Sequence, residues 1–250
     1  MSDTVAIATL VGLTFLAAGF TKGVVGLGLP TVAMGLLSLV MAPAAAAALL
    51  IVPSLVTNVW QLLAGPSFAA LVRRLASMMF AVLVGTSLSI NILTGSSSSL
   101  ASGALGAILA AYGAVGLAAP RFTVPPRAEP WLSPLIGLAT GLITGATGVF
   151  AIPAVPYLSA LGFTKDELIQ ALGLSFTVST VALAAALALS GKVQWLTAGS
   201  SLLAILPALL GMFIGQRVRG RLQPEAFRRW FFIGLAVLGL YMLARALLPR

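Results

Sequence analysis

The sequence predicts an all-α polytopic membrane protein: a duplicated inverted repeat of five segments each, with a glycine-broken second segment in each half. Three observations predict it. Of 250 residues, 60% are apolar and 8% charged, with a mean hydropathy of +1.10, whereas soluble domains carry about 25% charged residues. The apolar runs are continuous rather than alternating, which excludes a transmembrane barrel. Finally, Gly23-Val-Val-Gly-Leu-Gly-Leu-Pro30 interrupts the apolar pattern, and Gly145-Ala-Thr-Gly-Val-Phe-Ala-Ile-Pro153 does so again 122 residues later. Glycine costs about 1 kcal/mol and proline about 3 in a helix interior. Backbone groups freed inside lipid must find partners in the protein or in a wet cavity.

A span needs about 20 apolar residues. Span 1 is read from about Thr4 to Thr21. Span 2 opens with the first break and continues as a short helix to about Met41. That helix is too short to cross alone, so the extended stretch before it must cover the remainder. Pro43 suits the first turn of span 3, which holds Pro53, Ser54, Thr57, Asn58 and Gln61 and stops at Gly65-Pro66. Arg73-Arg74 are read as loop, Leu75 to Leu93 as span 4, Ser96 to Ser99 as a turn and Leu100 to Ala119 as span 5. Residues 120–130, with four prolines, form the linker.

Span 6 runs from Trp131 to Thr144, then comes the second break and a short span 7 ending near Gly162. Thr164 with Glu167 predicts a capping box that opens span 8, Leu168 to Ser190. Span 9 is read from Trp195 to Ile214 and span 10 from Trp230 to Leu248, with a basic loop between them. Gly23 aligns with Gly145, Gly26 with Gly148, and Val84-Gly85-Thr86 with Leu210-Gly211-Met212. The organisation is therefore repeat 1 over 1–119, the linker over 120–130 and repeat 2 over 131–250, in one membrane domain. Met1-Ser2-Asp3-Thr4 lacks a basic n-region and is not read as a cleaved signal peptide.

If both short segments cross, eleven basic residues fall on one side and three on the other; if neither crosses, the split is seven and seven. Basic residues concentrate in cytoplasmic loops, which favours crossing, both termini outside and repeats of opposite orientation. The net charge of +9 is thus an orientation signal, not a nucleic-acid footprint.

The chemistry is bounded by what is missing. There is no histidine and no cysteine, and Asp3, Glu129, Asp166, Glu167 and Glu225 all lie in expected termini or loops. Proton relays and cation sites in membranes use intramembrane Asp, Glu or His. Hydrolases and metal sites need triads, paired carboxylates or ligand clusters. The sequence therefore argues against an enzyme, a metal site, a cofactor and a cation substrate. It suits a small anion, held by backbone N–H groups and helix dipoles at Gly23, Gly26, Gly28, Gly145 and Gly148. Lys22 is either a charge for that anion or a snorkelling interfacial lysine. Asn58 and Gln61 either donate to its oxygens or hold helices together. Thr57, Ser175, Thr177, Ser179 and Thr180 either line a path or pack helices. Gly85, Gly106, Gly211 and Gly215 are read as close-packing positions, and the four tryptophans as interfacial anchors.

Phe20-Thr-Lys-Gly-Val-Val-Gly-Leu-Gly-Leu-Pro30, the echo Gly145–Pro153 and Leu210-Leu-Gly-Met-Phe-Ile-Gly-Gln-Arg217 resemble the sulfite exporter TauE/SafE family, over nearly the whole chain. Leu27 and Leu29 stand where that family tends to have glycine, and the second motif has Phe150, which reshapes the expected pocket. The resemblance implies a bacterial-type inner-membrane carrier for sulfite, organosulfonates or related small acids, with the lipid bilayer and a small anion as partners. A non-transporting scaffold, an uptake carrier for other organic anions and a channel remain the competing expectations.

Overall fold

The computed structural model describes residues 2–95, 98–118, 122–191, 201–219 and 223–248, and among these every regular element is a helix. In chain order they are α1 Ser2–Val25, α2 Leu29–Leu37, α3 Pro43–Leu63, α4 Phe68–Thr94, α5 Ser98–Ala118, α6 Glu129–Thr147, α7 Ala154–Ser159, α8 Lys165–Leu189, α9 Ile205–Val218 and α10 Pro224–Leu247. Seven candidate spans qualify by length and apolarity: α1, α3, α4, α5, α8, α10 and the helix that begins one turn before α9, at Ser201. The Gly- and Thr-rich α6 does not reach that apolarity, and α2 and α7 are too short.

Several boundaries differ from the sequence reading. α1 runs through Gly23 to Val25 and α6 through Gly145 to Thr147. α4 begins at Phe68, so Arg73 and Arg74 are helical, and α10 begins at Pro224, so Arg228 and Arg229 are too. Arginine is a good helix former and does not end a helix where the lipid ends. Glu129 of α6, Asp166 of α8 and Glu225 of α10 occupy first turns rather than loops, and Glu167 takes the N3 place that its capping box predicts. Carboxylates are favoured there by the helix dipole. Trp195, Lys192, Arg121, Arg221, Arg250 and Ser96 and Ser97 of the expected turn lie outside the described residues.

The capping box at Thr164 forms: Glu167 Oε2 accepts from the Thr164 N–H at 2.9 Å, and the Glu167 N–H donates to Thr164 Oγ1 at 3.4 Å. Pro53 sits inside α3 and cannot donate to the Leu49 carbonyl one turn back. Ser201 fills that gap, donating to Leu49 O at 2.7 Å and accepting from the Val52 N–H at 3.3 Å. Trp60, Trp131 and Trp230 are exposed on the outer surface, as interfacial anchors require.

Glycines set the helix pairing. A Cβ on Gly19 would lie 2.1 Å from Ala208 O, and one on Gly23 2.2 Å from Met212 O. A Cβ on Gly141 would lie 2.3 Å from Val82 O, and one on Gly145 2.4 Å from Thr86 O. Gly211, Gly215 and Gly85 return the contact, against Leu16 O, Phe20 O and Leu138 O. Small residues four apart let two backbones touch, which drives association where lipid offers no hydrophobic force. The registers ascend together, so α1 runs parallel to α9 and α6 parallel to α4. Gly106 meets Gly239 and Leu243 while Gly113 meets Ala236 and Phe232, so α5 and α10 are antiparallel.

At the centre, Asn58 meets Thr180 and Gln61 meets Ile169, so α3 and α8 are antiparallel. Ser201 stands level with Leu49, and the Met212–Gln216 stretch, against Gly23, stands level with Thr57 and Asn58 through Lys22. Hence α9 runs with α3, and so does α1. Two consecutive long helices pointing the same way need a return stroke between them. The chain from Gly26, bonded to Gln61, to Pro43 makes it, over roughly 27 Å along α3 at 1.5 Å per residue.

One fully buried side chain locks the end of α3. Gln170 donates to Leu62 O at 2.8 Å and Gly65 O at 2.7 Å, and its Oε1 accepts from the Ser67 N–H at 2.8 Å. Gln170→Leu leaves three backbone groups without a partner at one stroke. It is expected to destabilise the protein by about 2–4 kcal/mol, seen as a lowered melting temperature in detergent.

Candidate anion site at the first helix break

Gly26 has φ +83° and Gly28 φ +106°, a region that residues with a Cβ rarely adopt, and together they end α1 and start α2. The Gly26 N–H donates to Lys22 O at 2.7 Å, the αL helix stop. That bond uses the Gly26 amide, and Gly23 lies within the helical ladder of α1; neither points a free N–H outward. The amides of Leu27 and Gly28 find no acceptor among the described residues, and they lead into the positive N-terminal end of α2.

Lys22, one turn before the break, is 4% exposed. It is therefore not a snorkelling interfacial lysine, and it drops out of the interfacial charge count. Its ammonium donates to Thr57 Oγ1 at 3.1 Å and to Asn58 Oδ1. Thr57 Oγ1 is held in turn by its bonds to Pro53 O and Ser54 O. Asn58 Nδ2 donates to Thr180 Oγ1 at 3.2 Å, and Thr180 donates to Phe176 O. An ammonium has three protons; the third has no acceptor among the described residues. No carboxylate pairs with Lys22 there either: the ion pair that forms among the described residues is Arg74–Glu129 at 2.7 Å, near the N-terminus of α4. A buried cation without a counter-charge is costly.

Gln61, 8% exposed, lies one turn beyond Asn58 on the same face of α3. Its Nε2 donates to Gly26 O at 3.3 Å and Ile169 O at 3.0 Å. Both amide hydrogens are thereby spent, so Gln61 is not the donor to an anion that the sequence suggests. Beside it a Cβ on Gly26 would meet nothing within 4 Å, so the first break borders open space. A separate cleft of ≈640 Å³, lined by Ser38, Pro43, Ser99, Ser102 and Arg245, lies at the opposite end of α2 and includes none of these residues.

Lys22, Gly26, Asn58 and Gln61 thus come together. Gly28 adjoins them on the other side of the break, with the Phe231 ring 3.1 Å from where its Cβ would be. The second break is closely packed. Gly145 is packed on α4, the Gly148 N–H closes its own helix on Thr144 O, and Met34 of α2 fills the space beside Gly148. Val149, Phe150 and Ala151 are buried, and Phe150 packs on Phe176 of α8 at 5.4 Å. Phe176 is one turn from Thr180 on α8, so the second break is linked to the Lys22 cluster through α8, and through Met34 it touches α2.

A family model described as sulfite exporter TauE/SafE matches residues 11–242. The chain belongs to the TauE/SafE family. No curated protein and no solved structure matches it significantly. As a TauE/SafE member with seven apolar candidate spans, it is a multi-pass membrane protein of a transporter family for sulfur anions. A buried lysine that lacks a counter-ion among the described residues fits that family. Sequence reasoning singled out Lys22, Asn58 and Gln61 from their polarity. It missed Ser201 and Gln170, whose partners lie more than 100 residues away.

Proposed function

We propose that this chain is an exporter of small sulfur-containing anions such as sulfite or organosulfonates, working by alternating access around Lys22 at the first helix break. The observation that carries the reading is the buried ammonium with one proton unclaimed and no carboxylate beside it among the described residues. The reciprocal packing supports two inverted five-segment repeats over 1–119 and 131–250: the contacts of Gly19 and Gly23 with α9 recur, 122 residues on, in those of Gly141 and Gly145 with α4. Such repeats rock against each other around a shared site. Even without Lys22 the basic count is ten to three, in favour of termini outside a bacterial-type inner membrane. An inside-negative potential then favours outward movement by about 2.3 kcal/mol per charge per 100 mV. A scaffold would need no unpaired buried charge.

Reconstitution into liposomes tests this. Preloaded sulfite is expected to drive uptake of labelled sulfite by exchange, net sulfite flux is expected to be faster with an imposed potential that favours anion movement, and both are expected to saturate with concentration. Absence of exchange for sulfite and for simple sulfonates, from protein that remains folded, would overturn the carrier reading in favour of the scaffold.

A further inference from the structure

The two contacts between α1 and α3 form successive rungs, one turn apart: Lys22 on Asn58, then Gly26 on Gln61. The first rung presents a proton donor and one positive charge. The second presents the opposite. With both Nε2 hydrogens committed to Gly26 O and Ile169 O, the orientation of the Gln61 amide is fixed, and its Oε1 is buried with no donor. A buried acceptor left unmatched costs about 1–3 kcal/mol. The space beside Gly26 is empty of atoms, and the two rungs lie about 5.4 Å apart along the axis.

From this we infer that the site selects monoanions that also carry one hydrogen-bond donor, the oxyanion end lying on Lys22 and the donor on Gln61 Oε1. This rests on the anion-carrier reading above. A single buried positive charge is neutralised by one negative charge; a dianion leaves an excess charge with no partner. A monoanion lacking a donor leaves Gln61 Oε1 stripped of water and unmatched. Hydrogensulfite and hydroxylated short sulfonates have the required form. Ethanesulfonate lacks the donor, and 1,2-ethanedisulfonate carries the surplus charge.

The test is the thermal stability of the purified full-length protein, titrated with ethanesulfonate, 2-hydroxyethanesulfonate and 1,2-ethanedisulfonate. The hydroxylated monoanion is expected to bind at least 10-fold tighter than ethanesulfonate and than the disulfonate. In Gln61→Met the preference for the hydroxyl should vanish, so that 2-hydroxyethanesulfonate and ethanesulfonate bind alike; if that variant does not fold, the wild-type comparison decides alone. Equal or tighter binding of ethanesulfonate overturns the selectivity and leaves the carrier standing. If none of the three ligands nor sulfite stabilises the wild type, both the inference and the carrier reading fall.

Discussion

Lys22→Met is expected to make the empty protein more stable and to abolish its response to anions. The two effects have opposite signs, and each has a separate cause. Methionine fills much of the volume of the lysine stem and removes an ion whose burial costs several kcal/mol. Against this, Asn58 Oδ1 loses its donor, at about 1–3 kcal/mol. The net gain is about 1–3 kcal/mol, and the melting temperature should rise by roughly 2–4 °C for each. A ligand at 100 times its Kd stabilises the wild type by about 2.7 kcal/mol; the variant should show no shift with sulfite at the same concentration. Sites kept for function often cost stability in this way. Lys22→Arg keeps the charge but replaces three rotatable donors with a rigid fork, so partial response with weaker affinity is expected. A Lys22→Met protein that melts lower than the wild type and still responds to sulfite would make Lys22 a structural residue.

The fold was legible where a residue's chemistry acts locally. Thr164 and Glu167 are three residues apart, and a capping box needs no other part of the chain. Pro43 needs only the preceding extended residue to start α3. The glycines of the two interruptions were visible as a group, but their roles were not. Gly23 and Gly26 are three residues apart and differ in kind. One is helical because α9 must touch it, and the other ends the helix with a positive φ. Composition cannot separate a glycine needed for approach from one needed for a turn. The Lys22 cluster shows a similar limit. Its polar members were evident, yet only the fold reveals that Gln61 spends its donors on two carbonyls and presents an acceptor. The symmetry in sequence also suggested two equivalent ligand-binding breaks, whereas Val149, Phe150 and Ala151 bury the second one in apolar packing.

Gly23→Ala is expected to be the most damaging single methyl group that can be added near the site. Its Cβ would lie 2.2 Å from Met212 O, 2.9 Å from Gln216 N and 2.9 Å from the Gly215 Cα. All three are backbone atoms, so no side chain can turn away to make room. α1 and α9 must separate by about 1 Å or more to reach van der Waals distance, which loosens the Gly19–Ala208 and Gly215–Phe20 contacts with it. The expected loss is about 4 kcal/mol, in the range reserved for disrupted cores. Lys22 adjoins Gly23 on the same helix, so the shift also carries its ammonium relative to Asn58, and anion-dependent stabilisation should fall along with the melting temperature. Gly12 of α1 supplies the control. A Cβ there meets nothing within 4 Å, and alanine improves helix propensity by up to about 1 kcal/mol. Gly12→Ala should therefore leave the anion response intact and the melting temperature equal or higher. If the two alanine variants melted alike, close backbone packing would not be what holds α1 against α9, and the placement of Lys22 would need another support.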